Sequence, residues 1–219
     1  MSLARDGAER HAGAAATVLP SLTNALAHLP SNRAGLRIAG IEALRPLLAQ
    51  DGAIGRVAAT AQGPGCRPVR AILFDKTAAT NWSLAWHQDR TISVTQRMAV
   101  DGYGPWTVKR GMQHVSPPFD LLARMVTVRV HLDDVPATNA PLLIAPGSHR
   151  LGRVPVAEIE AAVRLCGIQA CLATAGDIWL YATPILHASE AAAQPVRRRV
   201  LQVDYSVDPL PGGLRWSGV

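Results

Sequence analysis

Hydrophobic and polar positions change period once along this chain, from helical in the first third to alternating in the rest. Residues 41–48 and 54–61 space their apolar side chains as short helices do, with Asp51-Gly52 as a turn between them and Gly63-Pro64-Gly65 as a firm stop. These helices are predicted to pad one outer face of a sheet. Ahead of them, residues 1–35 are rich in small side chains and punctuated by Pro20 and Pro30, and the first dozen are expected to fray. Beyond the stop, strands are predicted over 69–74, 84–89, 125–133, 142–144, 170–174, 177–182, 185–189 and 199–207. Short helices are predicted over 117–125, starting at two prolines, and over 155–165, with Glu158 and Glu160 exposed. The clearest strand is 125–133, where Val126, Val128, Val130 and Leu132 alternate with Thr127, Arg129, His131 and Asp133. That pattern predicts one face on a core and the other on water or a polar cleft. Residues 99–118 lack periodicity and scatter Tyr103, Trp106, Lys109 and His114 among glycines and prolines, which predicts a long loop of the lid or binding type.

Many short strands after a helical lead-in predict a mainly β (α+β) fold, a sandwich or jelly roll carrying an N-terminal helical layer. The 219 residues are read as a single domain, with a lead-in over about 1–65 and a β core over about 69–207. The net charge of +6 comes from 22 basic against 16 acidic residues. The arginines are scattered and their one run, Arg197-Arg198-Arg199, falls in a predicted strand, so the surplus points to an anionic small molecule rather than to nucleic acid. Cys66, Cys166 and Cys171 form no Cys-x-x-Cys pair and no disulfide framework, and are expected as small buried side chains in a reducing compartment. No apolar run approaches the ~18 residues of a membrane helix. Arg5 and Arg10 mix with Asp6 and Glu9 near the start, unlike a secretion signal, so the expected location is cytoplasmic, with no membrane partner. A nucleophile elbow, a P-loop and a zinc-protease helix motif are all missing, and Gly102-x-Gly104 has no third glycine in step. Oligomeric state leaves no signal in the sequence.

Candidate chemistry gathers at Trp86-His87-Gln88-Asp89 and a distant His187. Two residues apart on a strand, His87 and Asp89 leave the same face within reach of one ion. Two imidazoles and a carboxylate form the facial triad of non-haem Fe(II) oxygenases, which leaves coordination positions open. Taken singly, each histidine reads as a core side chain and Arg198 as a solvated one. The combination is what matters: Ser189 follows His187 by two and Arg198 by eleven, placing a hydroxyl and a carboxylate-gripping guanidinium beside the third ligand.

In these motifs the chain resembles the phytanoyl-CoA dioxygenase family of Fe(II)/2-oxoglutarate oxygenases over about residues 71–205. Ile72-Leu-Phe-Asp-Lys76 looks like the family's strand before the first ligands, and Gln88 is the family's frequent Gln in the metal motif. Asn139-Ala-Pro-Leu-Leu-Ile-Ala-Pro-Gly-Ser-His-Arg150 is similar to its Asn-Gly-Pro-Leu … Pro-Gly-Ser-His segment, with Ala140 in place of the usual Gly. The resemblance implies a double-stranded β-helix (jelly-roll, cupin-like) and Fe(II) held by His87, Asp89 and His187. It implies 2-oxoglutarate anchored by Arg198 and Ser189, consumption of O2, and release of succinate and CO2. Arg129 stands where many members place an aromatic residue near the cosubstrate; an ion pair with Asp133 or Asp204 is its ordinary alternative. Trp106, Lys109, His114 and His131 are the candidate contacts of a small, anionic substrate that becomes hydroxylated. Asp89 argues against a halogenase, which leaves that position open for chloride. A metal-dependent isomerase or hydrolase of the cupin group, which needs no Arg198, and a non-catalytic binding module remain the alternatives.

Overall fold

The computed structural model describes residues 1–31 and 33–219. The lead-in begins with α1 (Leu3–Asp6), β1 (Ala8–His11) and α2 (Leu19–Leu26), the last carrying Pro20 in its first turn, where a missing N–H costs nothing. Next come β2 (Gly35–Ile38), a 3₁₀ turn over Glu42–Leu44 that runs into α3 (Arg45–Leu48), and α4 (Gly55–Gln62). Both predicted helices are present. Gly52 lets their connection close, since a Cβ there would sit 2.2 Å from the Pro46 carbonyl oxygen. The expectation of a frayed start is corrected: β1 pairs with residues 178–181 at an edge of the main sheet. Its four residues are too few and too polar to announce a period, and the partner strand supplies the hydrogen bonds that hold it.

The β region comprises β3 (Arg67–Lys76), β4 (Leu84–His87), β5 (Ile92–Val94), β6 (Trp106–Lys109), β7 (Met112–Val115) and, after α5 (Phe119–Ala123), β8 (Val126–His131). It continues through β9 (Leu142–Ile144), α6 (Ile159–Cys166), β10 (Gln169–Cys171), β11 (Ile178–Ala182), β12 (His187–Ser189) and β13 (Arg198–Ser206). A six-stranded antiparallel sheet runs β1-β11-β8-β13-β3-β2, and a four-stranded one runs β10-β9-β12-β4. Together they make the double-stranded β-helix. On the outer face of the large sheet, Val126, Val128, Val130, Leu180, Leu201 and Val203 pack with Leu22, Leu44, Leu48, Ile54 and Val57 of the lead-in. Burying each such side chain contributes about 1.5–3 kcal/mol, so the helical layer is part of the core. The alternation of β8 is confirmed, yet all six of its residues are buried. Its polar face looks onto the interior between the sheets.

Register puts Arg37, Ile72, Gln202, Arg129 and Trp179 in one row across this inner face. Arg70, Asp204, Thr127 and Tyr181 form the next row.

The long loop expected over 99–118 is corrected as well. It contains a hairpin, β6–β7, which β5 extends to a three-stranded sheet. Arg110 at φ 52° and Gly111 at φ 80° sit between the paired Lys109 and Met112, the positive-φ pair of a type I′ turn. Arg-Gly is not the Asn-Gly or Asp-Gly pair that usually marks such a turn, and four-residue strands are too short to show alternation. Among the described residues no helix is long and apolar enough to cross a membrane.

Candidate metal centre and its cavity

β12 lies between β9 and β4, and its pairing sets His187 directly opposite His87. The two imidazole centroids are 4.3 Å apart. β4 ends at His87, so Asp89 lies just beyond the strand rather than on it, a small correction to the same-face argument. Even so, one ligand atom from each of His87, Asp89 and His187 falls within 4.8 Å of the others, close enough to hold one ion. Each imidazole donates from Nδ1 to the carbonyl two residues earlier, His87 to Ala85 at 2.8 Å and His187 to Ile185 at 2.9 Å. That fixes the tautomer and leaves both Nε2 lone pairs free for a metal. Burial, and then His87, push His187 down to about 4, so it is neutral at physiological pH. Burial alone would raise the Asp89 carboxyl, but Arg70 and the two imidazoles hold it below the usual carboxylate range. Two imidazole nitrogens and one carboxylate are the donor set that a divalent iron-type site requires.

The triad opens on a cavity of about 210 Å³ whose lining includes Arg37, Arg70, Ile72, Phe74, Lys109, Arg129, Ser189, Arg198 and Gln202. Arg198 is 2% exposed, its Nη1 donates to the Ala140 carbonyl, and its Nε has no partner. Among the described residues no carboxylate pairs with it. Burial and Arg129 push it down to about 9, which still leaves it charged near neutral pH. A buried guanidinium with open donors and no acid is a receptor for an anion. Arg197 and Arg199, its neighbours, pair instead with Asp75 and Asp133. Arg129 bonds Gln202 at 2.7 Å and lies over the Phe74 ring at 5.3 Å, so neither Asp133 nor Asp204 holds it. Asp133 is taken by Arg199 and Asp204 by Arg70.

Of the residues singled out in the sequence, His87, Asp89, His187, Ser189, Arg198, Arg129, Ile72 and Lys109 meet at this cavity. Four do not. Gln88 donates to the Gly152 and Pro184 carbonyls and accepts from the Val154 N–H, tying loops behind the triad. Trp106 packs against the apolar cluster that contains Val94, Val115 and Leu122. His114 is fully buried beneath Arg37, and His131 lies in the interior with both ring nitrogens unpartnered. Burial, followed by nearby arginines, pushes His114 to about 4 and His131 to about 3, so both are uncharged.

Three residues escaped the sequence reading. Arg70 donates from Nε to buried Asp204 and reaches Asp89 from Nη2 at 3.5 Å. Lys76, 2% exposed, donates to Ser189 Oγ at 3.0 Å and to the Glu190 carbonyl. Arg37 comes from β2, an element the sequence did not announce. The available signal was alternation: Arg70, Ile72, Phe74 and Lys76 are every second residue of one strand.

A family model described as phytanoyl-CoA dioxygenase matches residues 56–200. No curated protein sequence matches the chain significantly. Solved structures share its fold. EctD from S. alaskensis with 2-oxoglutarate and 5-hydroxyectoine aligns at TM-score 0.64 and 19% identity, over 93% of this chain and 73% of that one. The epimerase SnoN with Fe3+, alpha-ketoglutarate and nogalamycin RO gives 0.66 and 19%, over 96% and 88%. HygX from Streptomyces hygroscopicus with iron bound gives 0.63 and 15%, over 93% and 83%.

Proposed function

The chain belongs to the phytanoyl-CoA dioxygenase family, and from that premise we propose that it is an Fe(II)- and 2-oxoglutarate-dependent dioxygenase. It hydroxylates a small, anionic molecule: one oxygen atom of O2 enters the substrate as hydroxyl, the other enters succinate, and CO2 leaves. The observation that carries this reading is the pairing, on one cavity, of the three-ligand cluster with a buried guanidinium that has no acid of its own.

His87 and His187 would hold Fe(II) through Nε2 and Asp89 through its carboxylate. Bound there, the metal supplies O2 activation coupled to oxidative decarboxylation of the cosubstrate. The chain's own residues do the rest. Arg198 and the Ser189 hydroxyl, on the same cavity as the triad, would hold the far carboxylate of 2-oxoglutarate. Lys76, hydrogen-bonded to that hydroxyl, adds a second positive charge behind it. Arg70 ties Asp89 to Asp204, which orients the ligand carboxylate. Burial of Arg198 and His187 keeps water from competing for the grip.

Succinate formation from 2-oxoglutarate, measured with Fe(II) across a panel of small metabolites, tests the reading. Turnover should require metal and fall steeply in Arg198→Gln. Metal binding without succinate under any condition would favour an isomerase or hydrolase on the same fold instead.

A further inference from the structure

Resting on that reading, we propose that Arg37 and Lys109 receive an anionic group of the primary substrate, a carboxylate or phosphate, at the end of the cavity away from Arg198. The placement follows from register. Arg37 lies on the edge strand β2, level with Ile72, Gln202 and Arg129. Three strand spacings separate it from Arg129, or ~14 Å. Lys76, paired with Arg198, sits four residues further along β3 than Ile72, or ~13 Å. Cations therefore form two poles. Lys76, Arg129 and Arg198 stand at one end. Arg37 and Lys109 stand at the other, where Arg37 on β2 bonds His114 on β7 and Lys109 lies on the partner strand β6.

Charge balance separates their tasks. Arg37, Arg70, Lys109, Arg129 and Arg198 line the cavity against one carboxylate, Asp89. Arg70 is committed to Asp204 and Asp89. A divalent metal and a dianionic 2-oxoglutarate cancel, so loading the site leaves the cationic excess in place. The cosubstrate satisfies the pole at Arg198; at the other, the carboxylate near enough to feel Lys109 is Asp89, which Arg70 and the metal site already share. Among the described residues neither Arg37 nor Lys109 has a carboxylate within the 4.0 Å of an ion pair. Arg37 is hydrogen-bonded, among the described residues, through Nε alone, donating to His114 Nε2 at 3.3 Å, a neutral acceptor, and no Nη bond is made while the residue lines the cavity. Burial lowers the Arg37 pKa, and Arg70 and Arg110 lower it further, with no acid opposing them. Like charges gathered this way destabilise the empty site and favour an anion entering it. Lys109 is exposed and Arg37 half-buried, so the pole sits at the mouth of the cavity. A cavity of about 210 Å³ shared with 2-oxoglutarate favours a small molecule.

Protein loaded with Mn(II) and 2-oxoglutarate without oxygen provides the test, with inorganic phosphate as the probe. Phosphorus relaxation reports phosphate held near the paramagnetic ion, and calorimetry reports 2-oxoglutarate separately. Phosphate should bind, and Arg37→Gln and Lys109→Gln should each weaken it about tenfold while moving 2-oxoglutarate affinity less than about twofold. Arg37→Lys should also weaken phosphate, because charge without the planar fork is not enough. Normal Mn(II) and 2-oxoglutarate binding with no bound phosphate, or phosphate held by both Gln variants as tightly as by the parent, overturns the second pole alone. Failure of Mn(II) or 2-oxoglutarate to bind overturns the proposed function and this inference with it.

Discussion

Arg70 is the residue on which the triad's geometry depends, because among the described residues it alone links the Asp89 carboxylate to the rigid inner face of the sheet. Arg70→Gln should lower metal affinity about 10–100-fold, as loss of an orienting partner does. It should also destabilise the fold by about 3–5 kcal/mol, since Asp204 is left buried without its cation. Adding Asp204→Asn should restore stability but not metal affinity; recovery of both would mean Arg70 acts on the fold only. Lys76 carries the pH dependence. Burial, then Arg198 and Arg129, hold it down to about 8 from 10.5. Between those values the unfolded chain keeps a proton that the folded one has lost, so the apo protein gains stability from this group as pH rises. Binding the dianion puts that proton back, so 2-oxoglutarate affinity should fall with pH above 8, approaching about tenfold per unit, and more steeply above about 9, where Arg198 also loses its proton. A flat affinity profile between pH 7 and 10, by calorimetry, would remove Lys76 from the anchor. At this scale the triad, Ser189 and Arg198 were legible, because short windows with fixed spacing contain them. Arg37, Arg70 and Lys76 were not, because pairing gives them their place: Arg70 and Lys76 with β13, more than a hundred residues away, and Arg37 with β3 from a four-residue strand of its own.

At the scale of elements, the hairpin β6–β7 decides how Lys109 meets the cavity. Its turn needs Gly111 at φ 80°, and a Cβ there would meet nothing within 4 Å. Gly111→Ala therefore carries a conformational cost alone, about 1 kcal/mol, readable in the denaturation midpoint. With the turn loosened, phosphate at the Arg37–Lys109 pole should weaken while 2-oxoglutarate binding stays unchanged. A stability loss well above that value would mean the hairpin packs into the core more tightly than its exposed tip indicates. Strands β3, β8, β11 and β13 could be read from alternation because each runs five residues or more. β1, β2, β6 and β7 have four residues each and little periodic signal, and their partners complete them.

Across the whole molecule, the sequence separated a helical lead-in from a β-helix, and the structure joins them through a single apolar cluster. The change of period at residue 69 made that division visible. What stayed hidden is that the lead-in reaches the site itself, by way of Arg37 on β2. The +6 charge of the chain was likewise legible as a bias toward anions, but not as two poles, because composition carries no distances. Calorimetric titration of the apo protein, first with Co(II) and then with 2-oxoglutarate, tests the central claim most directly. About one equivalent of metal should bind and be lost in His187→Ala, and 2-oxoglutarate binding should require the metal and weaken on the order of 30-fold or more in Arg198→Gln. Metal held as tightly by His187→Ala as by the parent, or 2-oxoglutarate bound equally well without Arg198, would contradict the claim.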